Sequence, residues 1–227
     1  MLMHKPKSMS HEQAAGIPET WITATQALYL IGGFTSGKSV LWHAGASSVS
    51  IAGIQLAKID GASKIFVTSR TSDKIDWCVN ELGATQGFNT KEDSEWADSL
   101  LKSTDNKGAD IIVDFMGAST FQQNLKAAAL DGRIVNLAFL GGTQLPAGVD
   151  ISSFLRKRLR FEGSSLRSRD TEYQGTLRDT LEERLPDFEK GNLRVFIEKV
   201  LDWEKIQEAH RVMESNETKG KIICTIG

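Results

Sequence analysis

The sequence predicts an α/β fold built on a doubly wound parallel sheet, because three features recur along its 227 residues. Short apolar runs alternate with segments whose apolar residues repeat at helical spacing. The first alternation closes in about thirty residues, the length of a βαβ crossover, and such crossovers join parallel strands. The runs are apolar almost throughout, as suits a sheet covered on both faces.

Taken in order, Glu19 to Ile31 places Trp21, Thr25, Leu28 and Ile31 about one turn apart and stops at Gly32-Gly33, so a helix leads into a loop. Ser39 to Ala44 (SVLWHA) is the first strand, and Val49, Ala52, Gly53, Leu56 and Ala57 mark the helix after it. Lys64 to Thr68 completes the crossover. A helix around Asp73 to Leu82, a strand at Asp110 to Phe115, a helix around Phe121 to Ala129 and a strand at Arg133 to Ala138 follow. A helix-like stretch from Asp150 to Lys157 then precedes a last strand, Arg158 to Gly163. Beyond Arg169 the winding stops: a charged helix from Thr171 to Lys190 contains Pro186, and Val195 to Leu201, a helix from Trp203 to Glu214 and Lys221 to Ile226 close the chain.

A net charge of −2 gives no footprint for nucleic acid, and the run Arg156, Lys157, Arg158, Arg160 reads as a solvated turn and strand edge. The longest apolar stretches, such as Val40 to Ala46, are far too short for a membrane span, which points to a cytoplasmic protein. Cys78 and Cys224 form no C-x-x-C pair, and His4, His11, His43 and His210 have no partner at metal-ligand spacing, so no metal site is expected. Nor do Ser47, Ser48 and Ser50 make the G-x-S-x-G elbow of a hydrolase.

Two loops compete for phosphate. Gly32 to Ser39 (GGFTSGKS) satisfies G-x-x-x-x-G-K-[ST], with Ile111 to Asp114 as a possible metal-binding strand, but a helix precedes these glycines and a strand follows them. A P-loop has the opposite order, so Gly37 reads as a tight turn and Lys38 as a loop residue. His43 to Ser50 (HAGASSVS) lies where a strand gives way to a helix, and its small residues let a pyrophosphate approach the N–H groups and dipole of the helix start. Gly45 is the one expected glycine present, and an ordinary helix capped by Ser47 or Ser48 explains the same residues.

The runs AAGIPETWITATQAL, VLWHAGASSVSIAGIQLAK, ELGATQGFN, ALDGRIV, LRSRD and IQEAH, with GKII near the end, resemble the quinone oxidoreductase branch of the medium-chain dehydrogenases and reductases, of the zeta-crystallin-like, tumour-suppressor-inducible type. The resemblance covers nearly the whole chain. It implies a Rossmann-type domain over 19–168, a remnant of a preceding domain and linker over 1–18, and over 169–227 a segment that in the family completes the catalytic barrel. The chain departs from the family at Ser48 and Ser50, where glycine is usual, and at Thr90, where a tyrosine often stands.

An NAD site places Asp or Glu about twenty residues beyond the loop. Here Val67-Thr68-Ser69-Arg70 stands there, and Ser69, Arg70 and Lys74 are suited to a 2′-phosphate, the two cations sharing a face if a helix starts by Arg70. NADPH is therefore the expected cofactor, held by Gly45, Ala46, Ser47, Ser48 and Val49. By resemblance Thr23 lies near the nicotinamide, Gly117 beside the ribose, Phe139, Leu140 and Gly141 along the nicotinamide edge, and Ser165, Leu166 and Arg167 close the pocket. The implied reaction is zinc-independent hydride transfer to a quinone or enone; the family's tyrosine belongs to a domain expected ahead of Met1, so no catalytic residue is assigned. The resemblance also implies a homodimer through Arg158 to Gly163. A catalytically silent NADPH-binding protein and a P-loop phosphohydrolase are the alternatives.

Overall fold

The computed structural model describes residues 2–227. Ser10 caps a short helix, α1 (His11–Ala15), and α2 (Pro18–Thr25) runs on as a π-helical turn over Gln26–Ile31. The alternating core is β1 (Ser39–Trp42), α3 (Ser48–Ile59), β2 (Lys64–Ser69), α4 (Ser72–Trp77), β3 (Gln86–Asn89), α5 (Trp96–Ser103), β4 (Ala109–Asp114), α6 (Phe121–Ala127), β5 (Ala128–Asn136), α7 (Ser153–Lys157) and β6 (Arg160–Gly163). The tail adds α8 (Thr171–Glu182), α9 (Leu185–Glu189), β7 (Ile197–Asp202), α10 (Ile206–Glu214) and β8 (Lys221–Thr225).

The six strands β1 to β6 form one parallel sheet in the order β3-β2-β1-β4-β5-β6, the doubly wound Rossmann arrangement. Its direction of winding reverses between β1 and β4, and ligands of such sheets bind in the crevice at the carboxyl ends of those strands. Among the described residues β7 and β8 pair only with each other. Leu177, Leu181 and Phe188 of the tail bury in the same apolar cluster as Trp21, Leu28, Ile54 and Leu56. Arg184 and Tyr29 both bond the Asp60 carboxylate, which fastens the tail to the end of α3. No helix among the described residues is long and apolar enough to cross a membrane.

Several boundaries differ from expectation for local reasons. β3 and α5 were not expected: β3 has four residues with only Phe88 buried, and α5 has eight. The expected charged helix breaks into α8 and α9, because Pro186 has no N–H to donate and sits in the first turn of the second helix. Ala128 and Ala129 belong to β5 rather than to the preceding helix. The last strand begins at Arg160, since Arg158 adopts a left-handed φ of 53° at the end of α7. Likewise β1 ends at Trp42, and Ala44 turns the chain with φ 47°.

Candidate functional site: the crevice between β1 and β4

The loop after β1 is drawn tight against the sheet. Gly45 donates its N–H to the Thr68 carbonyl at 2.9 Å, and a Cβ there would lie 2.8 Å from Val67 Cβ and 3.1 Å from Cys78 Sγ. Burial pushes the Cys78 thiol up to about 12, so it stays an uncharged packing group. Ser47 caps α3, its Oγ accepting from the Ser50 N–H at 3.4 Å, and its carbonyl takes the Ile51 N–H. Among the described residues no acceptor takes the N–H groups of Ser48 and Val49, and these open donors at a helix start are suited to a pyrophosphate.

The serine hydroxyls are largely committed within the protein. Ser50 is fully buried and donates to the His43 carbonyl at 2.8 Å, Ser47 donates to Ser50, and Ser48 donates to the Gly220 carbonyl at 2.9 Å. The loop just before β8 thus reaches the turn that opens α3. It touches the adjacent cations as well: Lys74 donates to the Asn216 carbonyl, and Lys219 pairs with Asp73 at 3.2 Å. Burial, followed by the like charges of Arg70 and Lys219, lowers the Lys74 ammonium against the pull of Asp73. Lys219 and Gly220 were not among the expected site residues, and the 172-residue separation of Gly220 from Ser48 left no local signal.

Arg70 and Lys74 do not share a helical face, because Thr71 is the N-cap and α4 starts at Ser72. Ser69 is buried at the end of β2, and Arg70 beside it is exposed. On the other side of the crevice the loops after β4 and β5 are zipped together. Leu140 N–H donates to the Phe115 carbonyl at 2.9 Å, Gly141 N–H to Met116 at 2.8 Å and Ala118 N–H to Gly142 at 2.9 Å. Gly117, with φ 74°, packs so closely that a Cβ would lie 2.5 Å from Phe139 Cδ1. Gly117 and Phe139 to Gly141 therefore meet on this side of the crevice.

An open cleft of about 420 Å³ lies at the ends of β5 and β6, lined by Asn136, Leu137, Phe139, Phe161, Ser165 and Arg169 among others. Ser165 faces it with Phe139, whereas Leu166 packs toward the core and Arg167 is exposed outside its lining. Arg169, stacked 4.5 Å over the Tyr173 ring, lines the cleft. Thr23 is half-buried on α2 with its hydroxyl donated to the Glu19 carbonyl at 2.7 Å.

The P-loop-like turn lies elsewhere. Gly32 to Lys38 precedes β1, at the opposite end of that strand from the crevice, and Lys38 donates its ammonium to the Gly33 carbonyl at 3.1 Å. No helix starts there to receive a phosphate, which overturns the phosphohydrolase reading.

Residues 48–183 match the zinc-binding dehydrogenase family. A quinone oxidoreductase-like protein 2 homolog of Nematostella vectensis is 28% identical over 96% of this chain, which spans 59% of that relative. A low-reducing polyketide synthase of Aspergillus calidoustus is 29% identical over 99% of the chain, which amounts to 9% of it. Among solved structures, an NAD-dependent alcohol dehydrogenase is 32% identical with a TM-score of 0.84, covering 98% of this chain and 61% of its own. The CurK enoyl reductase is 26% identical with a TM-score of 0.81, covering 98% and 65%. The metal in the matched family's name finds no fit here. Among the described residues no three His, Cys, Asp or Glu side chains gather to hold an ion, and both nitrogens of His43 are hydrogen-bonded.

Proposed function

The chain belongs to the zinc-binding dehydrogenase family, and from that premise we propose that it serves an NADPH-dependent oxidoreductase of the quinone reductase type. Since it spans about three fifths of several longer relatives, the activity proposed is that of the whole protein. The observation that carries the reading is the start of α3, where two open N–H groups face the switch-point crevice beside Arg70. A nicotinamide bound here would supply a hydride to an electrophilic carbon of a quinone or enone. The chain's own residues would orient it: Ser48 and Val49 N–H would hold the pyrophosphate, Gly117 would admit the ribose, and Phe139 to Gly141 would flank the ring. The cleft by Ser165 and Arg169 receives the acceptor and excludes water from one side. Binding without turnover is a second reading, favoured by the exposure of Phe139 on that cleft and of Leu140 next to it in sequence.

NADPH is preferred because Arg70 stands where an NAD site has a carboxylate, and a charge-assisted bond to a phosphate contributes on the order of 1.5–3 kcal/mol. Arg70→Ala is therefore expected to weaken NADPH about ten- to a hundred-fold in calorimetry and to leave NADH almost unchanged. Equal affinities for both cofactors, before and after the substitution, would remove the assignment.

The partner proposed is a second copy of this chain. All four residues of β6 are exposed, and among the described residues its outer edge pairs with no strand, so two such edges satisfy each other's backbone groups. Sedimentation at micromolar concentration is expected to give a dimer that Phe161→Pro dissociates. A monodisperse monomer contradicts it.

A further inference from the structure

Beneath the crevice runs a line of buried polar side chains that contact with a dinucleotide does not explain. His43 is fully buried, with Thr68 Oγ1 2.8 Å from Nδ1 and Asn124 Oδ1 2.7 Å from Nε2. An amide oxygen only accepts, so Nε2 carries the proton and Nδ1 accepts from the Thr68 hydroxyl. The Asn124 amide nitrogen in turn donates to Thr120 Oγ1 at 3.4 Å, and the Thr120 hydroxyl donates to Asp114 Oδ1 at 3.1 Å. Every donor points the same way, from β2 toward one buried carboxylate.

Asp114 gathers the far side. It accepts the N–H groups of Met116 and Gly117 at 2.8 and 3.1 Å, and the Asn136 amide at 3.4 Å, which also donates to the Ala138 carbonyl at 3.0 Å. The near side is equally fixed, because the Thr68 carbonyl holds Gly45 and the next residues are Ser69 and Arg70. Asp114, His43 and Asn124 are wholly buried, and Thr68, Asn136 and Thr120 are 3%, 3% and 8% exposed. Aligned bonds in such a medium polarise one another, and a fully satisfied buried network is rigid. Burial pushes the His43 imidazole below its ordinary value, consistent with a neutral ring.

We infer that this side-chain line is a strut that fixes the spacing between the adenosine-phosphate side of the crevice and the nicotinamide side. The inference rests on the dinucleotide reading above. Thr68, His43, Asn124 and Thr120 are then positioning residues that hold the loops without touching the ligand. Two tethered halves reinforce each other only where the spacing matches, so a broken strut weakens the whole dinucleotide and spares either half.

The test compares NADPH with 2′,5′-ADP by calorimetry on the wild-type chain, Asn124→Leu, Thr68→Val and Thr68→Ser, with circular dichroism to confirm folding and ¹⁵N spectra of His43. Asn124→Leu and Thr68→Val are expected to lose about ten-fold or more for NADPH and less than about two-fold for 2′,5′-ADP. Thr68→Ser keeps the hydroxyl and both affinities. His43 is expected as the Nε2–H tautomer, with its Nδ1 signal displaced in Thr68→Val alone. Parallel losses for both ligands, wild-type binding by Thr68→Val, or an Nδ1–H tautomer would overturn the strut. A wild-type chain that binds neither ligand overturns the dinucleotide reading and the strut's role with it, whereas binding unchanged in every variant overturns the strut alone.

Discussion

Ser48→Asp is expected to lower NADPH affinity about a thousand-fold while the sheet stays intact. The side chain sits at the first residue of α3, beside the two open N–H groups that would receive the pyrophosphate. A fixed negative charge about 4 Å from a phosphate costs about 4 kcal/mol at an effective dielectric of 20. The same carboxylate suits a helix start, so folding is spared. It also replaces the hydroxyl that donates to Gly220 with a group that cannot, which loosens the loop before β8. Circular dichroism checks the fold and calorimetry the affinity. Unchanged affinity in a well-folded variant would reduce the serine-rich turn to a helix cap.

Gly53→Val is expected to cost about 3 kcal/mol or more of stability, read as a fall in Tm of about 6–12 °C. Gly53 lies at the middle of α3, where a Cβ would stand 2.0 Å from Trp42 Cζ2 on β1. Trp42 is fully buried between sheet and helix and has no room to yield. The helix must lift, and its N-terminus moves with it, so NADPH affinity falls alongside stability. A variant with wild-type Tm would contradict this close contact of α3 on β1.

The first crossover was legible because Ser39 to Ala44, the Val49 to Ala57 spacing and Lys64 to Thr68 each carry their periodicity within a few residues. β3 was not, since Gln86-Gly87-Phe88-Asn89 offers a single buried apolar residue and draws its identity from pairing with Phe66 to Ser69. At the site, Gly45 and the turn around it were readable from small residues between strand and helix. The strut was not, because Thr68, Asn124 and Asn136 come from three separate elements and look ordinary in each. Lys219 and Gly220 reach the site through folding of the tail, and the presence of Arg169 rather than Arg167 in the cleft lining depends on how the chain turns after β6.

The proposed function depends on a nicotinamide dinucleotide binding at the start of α3. Separate calorimetric titrations of the purified chain with NADPH, NADH and magnesium ATP test it most directly. The expected result is saturable one-site binding in which NADPH exceeds NADH by ten-fold or more, as the single charge-assisted contact from Arg70 implies, with no hydrolysis of ATP. Absence of binding by either dinucleotide, or ATP hydrolysis that Lys38→Ala abolishes, would contradict it.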